Sequence, residues 1–215
     1  MVDVWSQIAA ERRELADFLE TLAPADWDVP SLCPGWAVRD VVAHIVWGPG
    51  QPWSQAMLEM LKGGFRINHV TAATARRWGR RPTAEMITGL REREHDRSHS
   101  PIITDTHVLA DIVCHNLDIR RPLARSRAMS PPAFRATADL MASTGPPLDI
   151  VFARSPRRTV RDLRLVADDL DWTHGSGAEV RGTAEALLMV ITGRPVAHDE
   201  LTGPGAAQLR ARIGR

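Results

Sequence analysis

The sequence predicts a mainly α protein: a helical bundle followed by a small α+β C-terminal domain. Three observations carry this. From Val4 onward, apolar residues recur at threes and fours, the period of helices with one buried face. Proline and glycine interrupt that period at short intervals, which cuts it into several helices. Beyond Arg158 the period gives way to alternation around glycine turns, the signature of short strands.

The first helix is expected over 3–22, with Asp3 as cap and Val4, Ile8, Leu15, Phe18, Leu19 and Leu22 on its apolar face. Residues 25–36 hold two prolines, a glycine, Trp27 and Trp36, and read as a loop packed down by its aromatic anchors. A second helix over 37–47 buries Val38, Val41, Val42, Ile45 and Val46, and sets Asp40 and His44 one turn apart. Taken alone, His44 is a core histidine, and Asp40 complements the helix dipole. Gly48, Pro49, Gly50 and Pro52 break the chain before helical stretches at 53–62 and 65–78. Another helix, 83–97, follows Pro82 with Thr83 as its cap and leaves His95 and His99 facing solvent. Helices at 105–120 and 131–143 come next, and Gly145-Pro-Pro147 marks the boundary between domains 1–147 and 148–215. The second domain is expected to hold a small antiparallel sheet, an apolar helix at 182–192 and a last short helix at 205–213.

Composition limits the function. The chain has 215 residues, 44% hydrophobic and 25% charged, with a formal charge of +1, so no global field draws it to nucleic acid or an anionic membrane. The arginines of 76–81 read as a solvated helix end. Cys33 and Cys114 form no paired spacing and read as small buried residues. The charges within 1–22 leave no apolar signal stretch, and no run is long enough to span a membrane, so a cytoplasmic protein is expected. Lys62 is the only lysine, a weak pointer to a high-GC bacterium.

The stretch 105–123 carries the chemistry. On a helix, His107, Asp111, His115 and Asp118 fall within an arc of about 80°, while Val108, Leu109, Ile112, Val113, Leu117 and Ile119 surround them. A helix apolar on nearly every other side is buried, and a buried carboxylate without a partner costs several kcal/mol or more, roughly. Two arrangements would satisfy the stripe. One is a His/Asp hydrogen-bonded network that meets an arginine such as Arg120 or Arg121. The other is a metal, because an acid and a histidine four apart reach one cation from one helix face. A third ligand must then come from elsewhere in the chain.

Three blocks in order resemble a known family. They are Pro30-Ser-Leu-Cys-Pro-Gly-Trp-Ala-Val-Arg-Asp-Val-Val-Ala-His44, then Asp111-x-x-x-His115-x-x-Asp-Ile-Arg-Arg-Pro-Leu123, then Val180-Arg-Gly-Thr-Ala-Glu-Ala-Leu-Leu-Met-Val-Ile-Thr-Gly-Arg194. They look like the mycothiol-dependent maleylpyruvate isomerase family of the DinB-like metalloproteins. The resemblance implies an up-down four-helix bundle holding a divalent metal, usually zinc, on His44, Asp111 and His115. Asp111 stands where the isomerase itself has glutamate. His107 would be an additional ligand, and Asp118 and Asp40 would support the ligands from behind.

Three protein ligands leave an open position, the catalytic arrangement. In related enzymes it meets a low-molecular-weight thiol, mycothiol in actinobacteria, which a dication deprotonates. The resemblance thus implies an isomerase or thiol S-transferase acting on a small electrophile, as monomer or homodimer. Arg194 and Arg120 are its candidate catalytic residues, and Trp36 and Arg121 the candidates for holding the thiol. The alternative is a non-catalytic metal-binding stress or regulatory protein on the same bundle.

Overall fold

The chain divides into two units, Met1–Arg127 and Ala128–Arg215. The computed structural model describes residues 3–48, 51, 53–64, 66–101, 103–146, 148–151 and 155–213. Pro49, Gly50, Pro52 and Pro147, expected among the breaks, lie outside them.

The first unit holds α1 (Val4–Leu19), α2 (Val38–Trp47), α3 (Trp53–Lys62), α4 (Ile67–Trp78), α5 (Thr83–Glu92) and α6 (Asp105–Arg120). Helices α1, α6, α2 and α5 pack in a closed ring, each against the next, with α4 on the outside of α2 and α3 against α4. Ile8, Leu15 and Leu19 of α1, Val41 and Val42 of α2, Met86 and Leu90 of α5, and Leu109 and Leu117 of α6 fill its centre. Each fully buried side chain of this size contributes about 1.5–3 kcal/mol.

Several helices end where a side chain completes their backbone. Asp3 caps α1 by accepting from the Trp5 N–H. Helix α5 stops at Glu92, short of the expected 97, because the Arg12 guanidinium donates to the carbonyls of Arg93 and Asp96 just beyond it. Pro82, rather than Thr83, holds the cap position of α5. His99 departs from its expected solvent-facing place: its Nε2 lies 3.0 Å from Asp105 Oδ1, and its ring stacks on Trp5. His95 is exposed as expected. Among the arginines of 76–81, Arg77 pairs with Glu59 and Arg81 lies over the Trp47 ring.

The second unit contains α7 (Pro131–Ser143), α8 (Pro156–Thr159), β1 (Leu163–Ala167), β2 (Thr173–Gly175), β3 (Ala178–Gly182), α9 (Ala184–Ile191) and α10 (Ala206–Ile213). The division falls ahead of α7 rather than at Gly145-Pro-Pro147, because α7 packs on α9 and Trp172 donates from Nε1 to its Asp139 at 2.9 Å. The sheet is mixed rather than antiparallel throughout: its order is β2-β1-β3, with β1 antiparallel to β2 and parallel to β3. The chain passes from one side of β1 to the other within a few residues, close beneath Asp162 and Leu163. Gly175 and Gly177 permit this, since a Cβ on either would lie 2.4 or 2.2 Å from the carbonyl oxygens of Leu163 and Asp162, and both have positive φ. Helix α9, apolar on every side, is buried from Ala186 to Ile191, with the Thr183 hydroxyl capping its start.

Candidate metal centre

Helix α2 delivers His44. Its valines and Ile45 turn inward, and Asp40 fixes its first turn by accepting from the Ala37 N–H at 3.0 Å. This corrects the expectation that Asp40 supports a ligand: its carboxylate faces the start of α2 and packs against Gly79. Gly48, one turn after His44, gives the imidazole its room, since a Cβ there would sit 3.0 Å from Nδ1 and 3.1 Å from Cε1.

Helix α6 delivers the other two residues. Thr104 caps it, and the cap is closed by His107, whose Nδ1 accepts from the Thr104 N–H at 3.2 Å. His107 therefore spends that nitrogen on the helix end, and it stands outside both groups of converging ligand atoms among the described residues, His44/Asp111/His115 and Cys33/His115/Asp118. One and two turns further on, Asp111 and His115 face His44. Asp111 Oδ1 lies 3.5 Å from His44 Nε2 and 3.4 Å from His115 Nε2, and all three ligand atoms lie within 4.8 Å of one another. The two imidazoles meet edge to face with centroids 5.1 Å apart.

The distances bear on the two arrangements that the sequence allows. A good charge-assisted hydrogen bond between nitrogen and carboxylate measures about 2.7–2.9 Å. Ligands bound at about 2.0–2.2 Å in a tetrahedron stand about 3.3–3.5 Å from one another. The Asp111 contacts match the second figure. Two imidazoles and one carboxylate form a donor set of the kind that can hold a divalent cation. The Asp111 side chain is 32% exposed, against 18% for His44 and 15% for His115, so the group is reached from its side.

Behind the group, His115 Nδ1 lies 2.9 Å from Asp118 Oδ2, and Asp118 is fully buried. With a neutral ring the carboxylate accepts a hydrogen bond from Nδ1–H, which leaves Nε2 as a lone-pair donor towards His44 and Asp111. The charges agree with a cation. Asp111 and Asp118 with neutral imidazoles sum to two negative charges, which a dication or two protons would cancel. Burial by itself raises the Asp111 carboxyl, but His44 and His115 outweigh it and hold the group well below the usual carboxylate range. Burial disfavours a charged His115, yet the carboxylates of Asp111 and Asp118 on either side of the ring raise its imidazole well above the usual value.

A loop completes the surroundings. The bridge between Pro30 and Ala37 closes it, and Cys33-Pro-Gly-Trp36 turns through a 3.0 Å bond from the Trp36 N–H to the Cys33 carbonyl. Pro34 and Gly35, the latter at φ 76°, occupy the positions that a type II turn gives to proline and glycine. The turn lays Trp36 over both ligand rings, 5.4 Å from His44 and 6.2 Å from His115. It also brings Cys33 Sγ to 3.2 Å from Asp118 Oδ2. Cys33 is thus more than the small packed residue expected; nothing in its spacing pairs it with residues 82 and 85 positions away.

The remaining candidates lie elsewhere. Arg120 is half a turn round α6 from Asp111 and faces α1, where it donates from Nε to Asn116 Oδ1 at 2.7 Å, pairs with Glu14 and covers the Phe18 ring. Its expected catalytic role is corrected to a structural one. Arg121 is the half-buried C-cap of α6. Arg194 belongs to the second unit, after the left-handed Gly193, and donates to the Thr192 carbonyl at 3.3 Å.

Residues 8–100 match the family model described as mycothiol maleylpyruvate isomerase N-terminal domain. Over these residues the chain is similar to that family. The matched stretch of the mycothiol maleylpyruvate isomerase domain runs from α1 through α5 and includes Cys33, Trp36 and His44, while Asp111 and His115 follow it on α6. No curated protein and no solved structure gives a significant match. Among the described residues, no helix is long and apolar enough to cross a membrane.

Proposed function

We propose that the protein is a divalent-metal-dependent enzyme that uses a low-molecular-weight thiol, mycothiol, for cis-trans isomerisation of a small electrophile or for S-transfer to it. The observation that carries this is the convergence of His44, Asp111 and His115, with Asp111 Oδ1 at tetrahedral-edge spacing from both imidazoles, beside a stretch that matches the mycothiol maleylpyruvate isomerase N-terminal domain. A DinB-like bundle accords with the closed ring of α1, α6, α2 and α5.

In this reading His44, Asp111 and His115 hold the ion, zinc by the character of the donors. Bound there, it supplies the Lewis acidity that keeps a thiol ionised at neutral pH. Asp118 holds the His115 ring in the tautomer that leaves Nε2 free to bind. Trp36, 9% exposed, shields the two imidazoles from water and offers its ring to the thiol cosubstrate. Arg121 is the proposed contact for polar groups of that thiol.

Elemental analysis of the purified protein, followed by titration with mycothiol, tests the proposal. About one divalent ion per chain with saturable, metal-dependent thiol binding is the expected result. Stoichiometric metal without thiol binding would move the assignment to a non-catalytic metal-binding protein. Absence of metal after reconstitution would leave the group a hydrogen-bonded core.

A further inference from the structure

Two donors meet at Asp118 Oδ2. His115 Nδ1–H reaches it at 2.9 Å and the Cys33 Sγ–H at 3.2 Å, with Sγ and Nδ1 themselves 3.5 Å apart. The thiol is held there by construction. The Leu32 N–H donates to the Asp118 carbonyl at 3.2 Å, which ties the loop to α6 one residue before Cys33. The Ser31 hydroxyl accepts from the Cys33 N–H at 3.2 Å, and the Cys33-Pro-Gly-Trp36 turn fixes the other side. A loop anchored at both ends brings a weak donor to the one oxygen that orients a ligand histidine.

We infer that Cys33 is a positioning residue that sets the donor strength of His115 by competing for the carboxylate oxygen of Asp118. This rests on the proposed metal site. A carboxylate that accepts from Nδ1–H makes the imidazole a better donor through Nε2, and the effect depends on the charge left on that oxygen. A second donor draws off part of the charge. A thiol is a weak donor and draws little; a hydroxyl draws more; an alkyl group draws none. Cys33 therefore holds His115 below the strength that Asp118 alone would give it, at a level suited to a site that must bind an ion and still exchange its open position.

Measuring Co2+ affinity by chelator competition, with visible absorption as the signature of the site, tests this in C33A, C33S and the parent protein. The expected order is C33A tightest, parent intermediate and C33S weakest, with steps on the order of threefold. A role in packing alone predicts a different order: C33S, nearly isosteric, would match the parent, and C33A would be the variant that loses affinity. That result, or equal affinities in all three, overturns the inference. The Nδ1–H proton resonance of His115 in the metal-free proteins is a second readout, expected furthest downfield in C33A and least so in C33S; an unchanged resonance also overturns it. If the parent protein takes up no Co2+, the metal site itself fails and the inference falls with it, an outcome distinct from uptake without the ranking.

Discussion

Helix α6 carries two polar seams on opposite sides, and they differ in how their donors and acceptors sum. Towards α1, Asn116 and Arg120 meet Glu14, and Arg127 pairs with Glu11 and Glu14. Two carboxylates face two guanidiniums, the charges cancel, and Asn116 is fully enclosed. Towards α2, Asp111 and His115 face His44 across gaps of 3.4–3.5 Å, with one carboxylate between two imidazoles. One seam closes on itself, whereas the other closes only behind His115, at Asp118. Both are built from residue types that a helix rarely buries. On the proposed reading, what separates the structural network from the functional site is that only the second calls for an added cation.

Breaking each seam should give opposite results. His44→Ala or His115→Ala is expected to abolish stoichiometric metal uptake while far-ultraviolet circular dichroism keeps its helical signal; full metal content in either variant would refute the ligand assignment. Arg120→Ala is expected to lower unfolding stability by up to about 3 kcal/mol, at the low end for a buried pair because Glu14 is 38% exposed. The folded fraction of that variant should bind metal as the parent does. Denaturant titration paired with metal analysis reads both, and loss of metal from folded Arg120→Ala protein would mean the seams are coupled.

The same pair of seams shows what a sequence reveals. The stripe of Asp111, His115 and Asp118 was legible because its members share one helix, where spacing fixes direction. The alternation beyond Arg158 likewise announced the strands. Arg120 was ambiguous because its partner Glu14 stands 106 residues away, and no local pattern reports such a distance. Cys33, Gly48 and the parallel pairing of β1 with β3 were silent for the same reason: each depends on where a loop crosses or how closely two elements approach. The early end of α5 belongs with them, since an Arg12 side chain from α1 supplies the stop.

Protons offer a finer comparison. In metal-free protein the site's surplus negative charge favours a proton on His115, whose pKa is raised, while Asp111 stays ionised, its pKa being lowered. Metal uptake near neutral pH is therefore expected to release protons, and the apparent calorimetric enthalpy should vary with the ionisation enthalpy of the buffer. The stability sign also follows. The raised His115 contributes most below its usual value of 6.5 and loses that contribution as pH rises through its folded value. The lowered Asp111 contributes above its usual 3.8 and loses that as pH falls. Metal-free protein should accordingly gain most from this pair between those limits, and replacement of His115 should flatten that part of the stability profile.

The smallest expected effect tests how finely the open seam is set. Gly48 has helical backbone angles, φ −62° and ψ −58°, so alanine suits the backbone and a general loss of fold is not expected. Its new methyl would nevertheless lie 2.6 Å from the His44 carbonyl oxygen and 3.0 Å from Nδ1. Relief requires the imidazole or the helix end to shift by a few tenths of an ångström, which moves Nε2 relative to Asp111 Oδ1. A ligand-seam displacement of that kind is expected to weaken metal binding on the order of tenfold, together with some loss of unfolding stability from the contact with the His44 carbonyl. The Arg120 seam, one side of which is solvated at Glu14, has no contact with the new methyl and gives no reason for a further stability change. Gly48→Ala with parental metal affinity would show that the His44 ring is not set by its fit against residue 48, and that the spacing of the three ligand atoms is fixed from the α6 side alone.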